Sequence, residues 1–535
     1  MMQTLYYGGP ILTMDKAAPR ADALLVEDGR IAGVGTLRDL ENVVKDAKRV
    51  DLQGKTLMPA FVDGHSHMAG MGLFTQRCDL IGCTGFDDLL DRIRRFRERR
   101  DLTHGEIIRC RGYDPALMKE QSHPNAAVLD SLGFDNPIVC VHQSGHMLAC
   151  NTAAMRCCGV DDDYVFPPGG HAARDDNGHL TGFFEERAQL PFYALDVFTD
   201  EQIEQALLES QAYYLSCGIT TIQEGSGIAA QRLACYERLA ERGALKADVV
   251  VYIAPDPDDL DYWSNVLARH GNREYKDHLK IGGIKLMLDG SPQARTAWMR
   301  QPYEGETEYC GYPIQEDEKV YATLCNAIDA DLQPLAHCNG DAACEQFLSC
   351  WEKAVEDKGK GSHLRPVMIH AQTVGYDQLD RMGPVGMMPS FFVGHCFYWG
   401  DTHLKNFGKR GYRISPVKAA MDRGLPYNFH QDSPVTKPDM LHTVWCAVNR
   451  ITRNGVCIGE ENRIDVYDAL IGVTAGGAYS YFEESEKGIL KTGAIADLVI
   501  LDRDPTAVEK MEIKDIRVLT TIKDGKIVFT GADGL

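Results

Sequence analysis

The chain has 535 residues, 44% of them hydrophobic and 25% charged, which is enough for two or three globular domains. Its formal net charge of -21 argues against a nucleic-acid partner, because affinity for a phosphate backbone comes from lysine and arginine. No stretch has the features of a signal peptide or a membrane span, and 17 cysteines without a spacing framework indicate a reducing cytoplasm, so we expect a cytoplasmic protein that binds no membrane.

The two ends of the chain are predicted to be β-rich. Asp28-Gly29 between apolar runs predicts a hairpin near the N-terminus, and Asp524-Gly525 gives the same signal near the C-terminus. Neither end is large enough to bury a core alone. We therefore expect residues 1–56 and 485–535 to combine into one small β-sandwich, with the rest of the chain inserted between its halves.

The middle of the chain alternates between apolar runs and amphipathic helical patterns. Helices are predicted at 200–216, 228–242, 316–330 and 341–356. Buried strands are predicted, in chain order, at 56–62, 218–223, 248–253, 281–287, 333–336, 365–369, 388–393 and 425–429. Eight such units predict an α/β fold, a closed (β/α)8 TIM-like barrel over residues 57–78 and 195–484, whose active site lies at the carboxyl ends of the strands.

One connection in this barrel is much longer than the others. About 150 residues separate His67 from Gly218, against about 30 per unit in a typical barrel. This stretch contains a predicted helix at 87–100, strand-like runs at 106–111 and 137–142, and a loop-rich tract at 161–182. We interpret residues 79–194 as an inserted α/β subdomain that caps the barrel mouth.

Side chains that can bind metals follow several of the predicted strands. His65 and His67 stand two residues apart just past the first strand, so both rings lie on the same face, and such a pair suits a divalent metal. Lys285 lies inside an apolar run, where an ammonium is costly unless it is paired or modified. Later strands are followed by three further candidates, His337, His370 and Asp432. A structural histidine or a helix-capping aspartate explains any one of these residues, but not the ordered set.

Motifs spread along most of the chain carry a family resemblance. In chain order they are Asp63-Gly64-His65-Ser66-His67, Ser144-Gly145-His146, Gly218-Ile219-Thr220-Thr221, Ile284-Lys285-Leu286-Met287-Leu288-Asp289-Gly290-Ser291, His337-Cys338-Asn339-Gly340-Asp341-Ala342, His370-Ala371-Gln372, Asp432-Ser433-Pro434-Val435 and Gly493-Ala494-Ile495-Ala496-Asp497-Leu498. The series resembles the amidohydrolase superfamily of metal-dependent hydrolases. It is most similar to the YtcJ-like branch, amidohydrolase family 3, which includes N-substituted formamide deformylase.

The resemblance implies a binuclear metal centre. Lys285 would be carboxylated by CO2, and the resulting carbamate would bridge two divalent metal ions, for which zinc is the default candidate and manganese, iron and nickel are alternatives. The remaining ligands would divide into two sets: His65, His67 and Asp432 on one metal, and His337 and His370 on the other. Two metals lower the pKa of a bridging water, so that a metal-bound hydroxide attacks a carbonyl carbon. Asp432 would take the proton of that water and pass it to the leaving nitrogen.

Substrate contacts are expected from loops at the same end of the barrel and from the insert. The candidates are His395, Arg295 and Asp289 on the barrel, and His142, His146 and Tyr113 in the insert. For each of them a purely structural role remains an open alternative.

These inferences predict a hydrolase acting on a carbon–nitrogen bond other than a peptide bond, in an N-substituted formamide or another N-acyl small molecule. Deamination of an amino-substituted ring is an alternative, although Lys285 counts against it, because deaminases of this superfamily commonly resemble one-metal sites. A catalytically inactive, hydantoinase-like scaffold is a second alternative, but such proteins usually lack some of the ligands. An ester or lactone would use the same attacking water. The expected partners are a small-molecule substrate and a second copy of the chain in a homodimer.

Overall fold

The computed structural model describes residues 3–44, 46–228, 230–254, 266–271 and 273–534. Residue 229, inside the helix predicted at 228–242, lies outside the described residues. The chain divides into two compact units, Met1–Met71 with Leu207–Leu535, and Gly72–Ala206. Within the described ranges, no helix combines the length and the apolar character that crossing a membrane requires.

Strands are numbered in chain order over the described residues. They are β1 Gln3–Leu12, β2 Arg20–Glu27, β3 Arg30–Gly35, β4 Lys48–Asp51, β5 Thr56–Pro59, β6 Phe61–Val62, β7 Cys78–Asp79, β8 Ile108–Tyr113, β9 Ile138–His142, β10 Met147–Cys150, β11 Gly170–Arg174, β12 Leu180–Glu186, β13 Ile219–Ile228, β14 Asp248–Ile253, β15 Leu279–Met287, β16 Gln333–Cys338, β17 Val367–His370, β18 Met388–Phe391, β19 Asn428–Phe429, β20 Leu498–Leu501, β21 Val518–Lys523 and β22 Lys526–Thr530.

The α-helices with described bounds are numbered in the same way. They are α1 Leu37–Val43, α2 Met68–Thr75, α3 Phe86–Arg99, α4 Ala126–Asp130, α5 Thr152–Cys157, α6 Asp200–Ser216, α7 Ala230–Glu241, α8 Asp317–Asp329, α9 Asp341–Lys358, α10 Tyr376–Met382, α11 His395–Tyr398, α12 Gly400–Phe407, α13 Val417–Asp422, α14 Met440–Asn449, α15 Val466–Gly472 and α16 Ala475–Ser480. Short 3₁₀ helices lie at Pro115–Leu117, Arg187–Asp196, Ser362–Leu364, Gly383–Val385, Gly408–Arg413, Glu460–Asn462 and Lys510–Asp515.

The two ends of the chain meet in one connected mixed sheet of the first unit. Its strand order is β22-β21-β20-β5-β1-β2-β3, and β4 pairs with β1. Strand β5 joins the termini, because it pairs in parallel with β1 and antiparallel with β20. Buried apolar side chains from both ends pack together, among them Ile11, Leu24, Leu57, Leu498 and Ile500. The ends therefore combine, whereas their division into the two layers of a sandwich stays a prediction.

Eight parallel strands form the second sheet of this unit, in the order β6-β13-β14-β15-β16-β17-β18-β19. The predicted α/β class and its parallel sheet are thus confirmed. Backbone hydrogen bonds past the strand ends connect the two edge strands. The Asp432 N–H donates to the His65 carbonyl (3.2 Å), and the His67 N–H donates to the Ser433 carbonyl (2.8 Å). The segments after the first and eighth strands are therefore neighbours.

The strand predicted at 56–62 is two strands in the structure. Strand β5 belongs to the terminal sheet, and only β6 belongs to the parallel sheet. Pro59 is the last residue of β5. The Ala60 N–H still donates to Asp497 in the terminal sheet, but the Phe61 N–H donates to Gly218 beside the parallel sheet, 2.9 Å in each case. The chain changes sheets between these two residues.

The unit Gly72–Ala206 contains a six-stranded mixed sheet in the order β11-β12-β10-β9-β8-β7. Helix α3 buries Leu89, Ile93 and Phe96. The tract 161–182 was predicted to be loop-rich, but it contains β11 and the start of β12. The prediction is wrong there because β11, Gly-His-Ala-Ala-Arg, has no apolar alternation to mark it as a strand. A capping role for the unit stays a prediction.

Candidate metal centre

Three of the predicted metal ligands lie together past the ends of β6 and β19. One ligand atom each from His65, His67 and Asp432 lies within 4.8 Å of the others. The Oδ1 atom of Asp432 is 2.9 Å from His67 Nε2 and 3.7 Å from His65 Nε2. This oxygen is buried, and the His67 imidazole is its nearest described partner. Two imidazole nitrogens beside a buried carboxylate oxygen fit a divalent cation.

Lys285 lies beside this group, near the carboxyl end of β15. Its Nζ is 3.1 Å from His65 Nε2, and only 4% of the residue is exposed. Burial lowers the pKa of Lys285 to about 8, although the charge of Asp432 opposes this effect. Within the described part of the chain, no carboxylate oxygen lies within 4.0 Å of Nζ. Lys285 is therefore a buried amine without a carboxylate in direct contact.

His337 and His370 complete the set on the neighbouring strands β16 and β17. Their ring centroids are 4.5 Å apart, and the His370 ring is 5.8 Å from that of His65. Both histidines lie at the carboxyl ends of their strands. His337 pairs with Met287, the last residue of β15, and His370 is itself the last residue of β17. The structure thus brings all six predicted ligand residues to the same end of the parallel sheet.

Each of three ligand histidines is held by a second residue at its Nδ1 atom. The contacts are His65 with Gln223 Oε1 (2.5 Å), His337 with Asp289 Oδ1 (3.1 Å) and His370 with His430 Nε2 (3.1 Å). Such a contact fixes the ring orientation and leaves Nε2 as the atom that can bind a metal. The rings are consequently held in position by the protein itself.

His430 and Gln223 are two residues that the sequence interpretation missed. His430 is fully buried, burial lowers its pKa to about 3, and its Nδ1 is 2.8 Å from Ser390 Oγ. A sequence signal for His430 existed, because it stands two residues before Asp432, the same spacing that marked His65 and His67. No comparable signal singled out Gln223.

The pKa shifts of His65, His370 and Asp432 favour the protonation states that a metal requires, whereas the shift of His67 does not. Burial, with neighbouring positive charge, holds the pKa values of His65 and His370 well below their usual range. Burial also acts to lower the pKa of His67, but the adjacent Asp432 outweighs it and the net shift is upward. For Asp432, burial acts to raise the pKa, and His67 reverses the shift. Neutral imidazoles and an ionised carboxylate are the forms that bind cations.

The three substrate candidates on the barrel have different surroundings. His395 begins α11, is buried, and places Nδ1 3.0 Å from His403 Nε2. The Arg295 guanidinium pairs with Glu306 (3.0 Å) and lies over the Tyr303 ring. That charge is already compensated, which argues for a structural role of Arg295.

The prediction that Asp289 contacts substrate needs correction. The residue is fully buried, and its carboxylate accepts backbone N–H groups of Trp298, Asn339 and Gly340 at 2.7 to 3.0 Å. The fourth contact is the Nδ1 atom of His337. With its oxygens so occupied, Asp289 is a positioning residue for His337.

The three insert candidates belong to the unit Gly72–Ala206. Tyr113 is buried, with its hydroxyl 3.1 Å from His123 Nδ1 and its ring 5.3 Å from that of His142. His146 has 68% of its side chain exposed and lies 3.3 Å from Glu186. The structure brings Tyr113 and His142 together, and their contact with substrate stays a prediction.

The chain matches the model of the Amidohydrolase family over residues 48–529. It is 26% identical to the amidohydrolase YtcJ of Bacillus subtilis (strain 168), with 99% of each chain covered. It is 25% identical to an N-substituted formamide deformylase of Arthrobacter pascens, with 98% of each covered. An uncharacterized metal-dependent hydrolase from Pyrococcus horikoshii OT3 has a similar fold, with a TM-score of 0.77, 24% identity, and 95% of this chain and 99% of that chain covered.

Proposed function

The chain belongs to the amidohydrolase family, a family of hydrolases, and on that premise we propose that it is a metal-dependent hydrolase of the C–N bond in an N-acyl small molecule. N-substituted formamides are the first substrate class, a choice supported by the similarity to a formamide deformylase along the whole chain. The main observation behind the proposal is the convergence of His65, His67 and Asp432, with a buried Lys285 beside them.

The donor set fits two divalent cations, with zinc as the first candidate. His65, His67 and Asp432 would hold one cation, and His337 and His370 the other. When bound, such cations lower the pKa of water and polarise a carbonyl oxygen. The buried Oδ1 of Asp432, close to two imidazole nitrogens, and the Nε2 atoms of the oriented histidines support this assignment.

The environment of Lys285 fits carboxylation. A neutral amine reacts with CO2 by forming an N–C bond and releasing a proton, which leaves a carbamate anion. Burial lowers the pKa of Lys285 to about 8, so a useful fraction of the amine is neutral near physiological pH. The carbamate would add an anionic ligand to the donor set and remove the cost of a buried ammonium.

The chain's own groups would carry the proton. Asp432 is ionised at neutral pH, because His67 holds the pKa of its carboxyl below the usual range. It can accept a proton from the attacking water and deliver it to the leaving nitrogen. His395, held by His403, is the proposed hydrogen-bond partner of the substrate carbonyl oxygen. Gln223, Asp289 and His430 hold the ligand imidazoles in their orientations.

A substrate panel tests this proposal. Protein purified with bicarbonate and zinc is assayed on N-alkyl and N-aryl formamides, the corresponding acetamides, matched esters and amino-substituted rings, with amine, acid and ammonia all quantified. We expect amine and formate release that a chelator abolishes and zinc restores. Ammonia release from a ring without any amide hydrolysis would favour deamination. Protein that contains metal but is inactive on the whole panel would favour the catalytically inactive scaffold.

A further inference from the structure

A small cavity within the unit Gly72–Ala206 combines apolar walls with arginines. Its volume is 260 Å³. The walls come from β9, β10 and the 3₁₀ helix Arg187–Asp196, with Val139, Leu148 and Phe192 among the lining residues. Three arginines also line it: Arg77, Arg109 and Arg111. Such a combination is typical of a binding site for an amphipathic small molecule.

The charges around this cavity do not balance. Asp196 pairs with Arg77 through both oxygens (2.8 and 2.9 Å) and is 3.9 Å from Arg109 Nε. Asp79 Oδ1 is 3.6 Å from Arg111 Nη2. These are the carboxylates within 4.0 Å of the three arginines in the described part of the chain. Three guanidinium groups against two carboxylates leave one net positive charge.

Arg109 and Arg111 differ in how their donors are used. Arg109 donates from Nε to the Leu195 carbonyl (2.7 Å) and from Nη2 to the Val197 carbonyl (2.8 Å). The Nε and Nη2 atoms of Arg111 are buried without a hydrogen-bond partner among the described residues. Its guanidinium lies over the Phe74 ring, 3.1 Å from the centroid. Asp79, at 3.6 Å, is beyond hydrogen-bond distance of Nη2. Unpartnered buried donors are costly and rare in native proteins, so the hydrogen-bonding capacity of Arg111 is not filled by the described residues.

We propose that this cavity binds a small monocarboxylate with an apolar body. This site shares no residue with the proposed metal centre. Its carboxylate would pair with the Arg111 guanidinium, and its single charge would balance the excess. Its apolar part would pack against β9 and β10. The volume is about nine times the share of one water molecule in the liquid, so only compact ligands fit. Benzoate has the required charge, shape and size.

Calorimetric titration of the full chain with sodium benzoate tests the proposal, with neutral benzyl alcohol as the comparison ligand. We expect saturable binding of benzoate at one site per chain and much weaker binding of benzyl alcohol. Arg111→Met, which keeps the apolar stem, should weaken benzoate binding by about tenfold or more, because the charged fork is lost. Arg111→Lys keeps the charge but not the planar guanidinium, and its benzoate affinity should lie between those of the parent and Arg111→Met. Arg156→Met, an exposed arginine of α5, is the matched control and should bind like the parent.

The same titration on chelator-treated protein separates this site from the proposed metal centre, which could also attract a carboxylate. Binding that persists without metal and falls in Arg111→Met supports the cavity even if amide hydrolysis is never found. Binding that disappears with the metal, or that is equal in Arg111→Met and the parent at matched circular dichroism, overturns the proposal. So does the absence of saturable binding in the parent.

Discussion

Two lysines of the same strand, β15, are buried in opposite surroundings. Lys280 lies near the amino end of the strand and forms an ion pair with Glu483. Lys285 lies near the carboxyl end, where its nearest polar partner is the His65 imidazole at 3.1 Å. Burial lowers the pKa of both lysines, and that of Lys285 to about 8. The strand thus carries one lysine with a carboxylate partner and one without.

The surroundings of Lys280 form a compensated ionic network. Lys487 lies 2.5 Å from Asp248 and 2.8 Å from Glu483, and Lys523 lies 3.0 Å from Asp248 and 3.2 Å from Asp497. Burial acts to lower the pKa values of Lys487 and Lys523, but these carboxylates hold them above the usual lysine value. Buried lysines with acidic partners stay charged and serve structure, whereas Lys285 has no carboxylate in direct contact and is the proposed site of carboxylation.

The largest effect is expected for Asp432→Asn, at the end of the parallel sheet where Lys285 lies. Residue 432 has a φ of 56°, a left-handed conformation that asparagine tolerates well, so the fold should be retained. Turnover should fall by about 10² to 10⁴, because the proton carrier is lost. Steady-state kinetics with unfolding midpoints measure both effects. Near-parental turnover would remove Asp432 from the proton-transfer role.

In the ionic network around Lys280, Lys487→Met should affect stability and not chemistry. The substitution leaves Asp248 and Glu483 buried with less compensation, which costs about 3–5 kcal/mol. Turnover per folded molecule should stay unchanged. Urea unfolding measures the loss, and Lys491→Met, an exposed lysine, is the matched control. A loss as small as that of the control would show that the network contributes little.

This network also predicts an acid-sensitive contribution to stability. Burial acts to raise the pKa of Asp248, but Lys487 and Lys523 outweigh it and hold the folded-state pKa below the unfolded value of about 3.9. The contribution is therefore fully present above about pH 4 and is lost as the pH falls through the folded-state pKa. In Lys487→Met the acid-dependent part of the unfolding free energy should shrink. An unchanged acid profile would contradict this reading of the network.

A smaller effect is expected for metal uptake by chelator-treated protein. At a pKa of about 8, roughly a tenth of the Lys285 amine is neutral at pH 7 and half at pH 8. At a fixed concentration of dissolved CO2, zinc-dependent activity should therefore recover about fivefold faster at pH 8. The recovery should need CO2 in the parent and in Lys487→Met. Recovery at an equal rate without CO2 would argue against a carbamate.

The contrast also shows which features a sequence can predict. His65 and His67 could be predicted because their signal is local, two ligands one residue apart after an apolar run. The role of Asp289 could not, because its carboxylate meets His337 only through the packing of neighbouring strands β15 and β16. The change of sheet after Pro59 depends on pairing with residues more than 400 positions away in the chain, which an apolar run does not reveal.

We expect Lys285, and not Lys280, to take part in the proposed metal centre. The most direct test is metal content per chain by plasma mass spectrometry, on protein purified with bicarbonate and without chelator. We expect about two transition-metal ions per chain in the parent and in folded Lys280→Met, and one or none in Lys285→Met. About two ions in Lys285→Met, or an equal loss in both variants, would contradict this expectation.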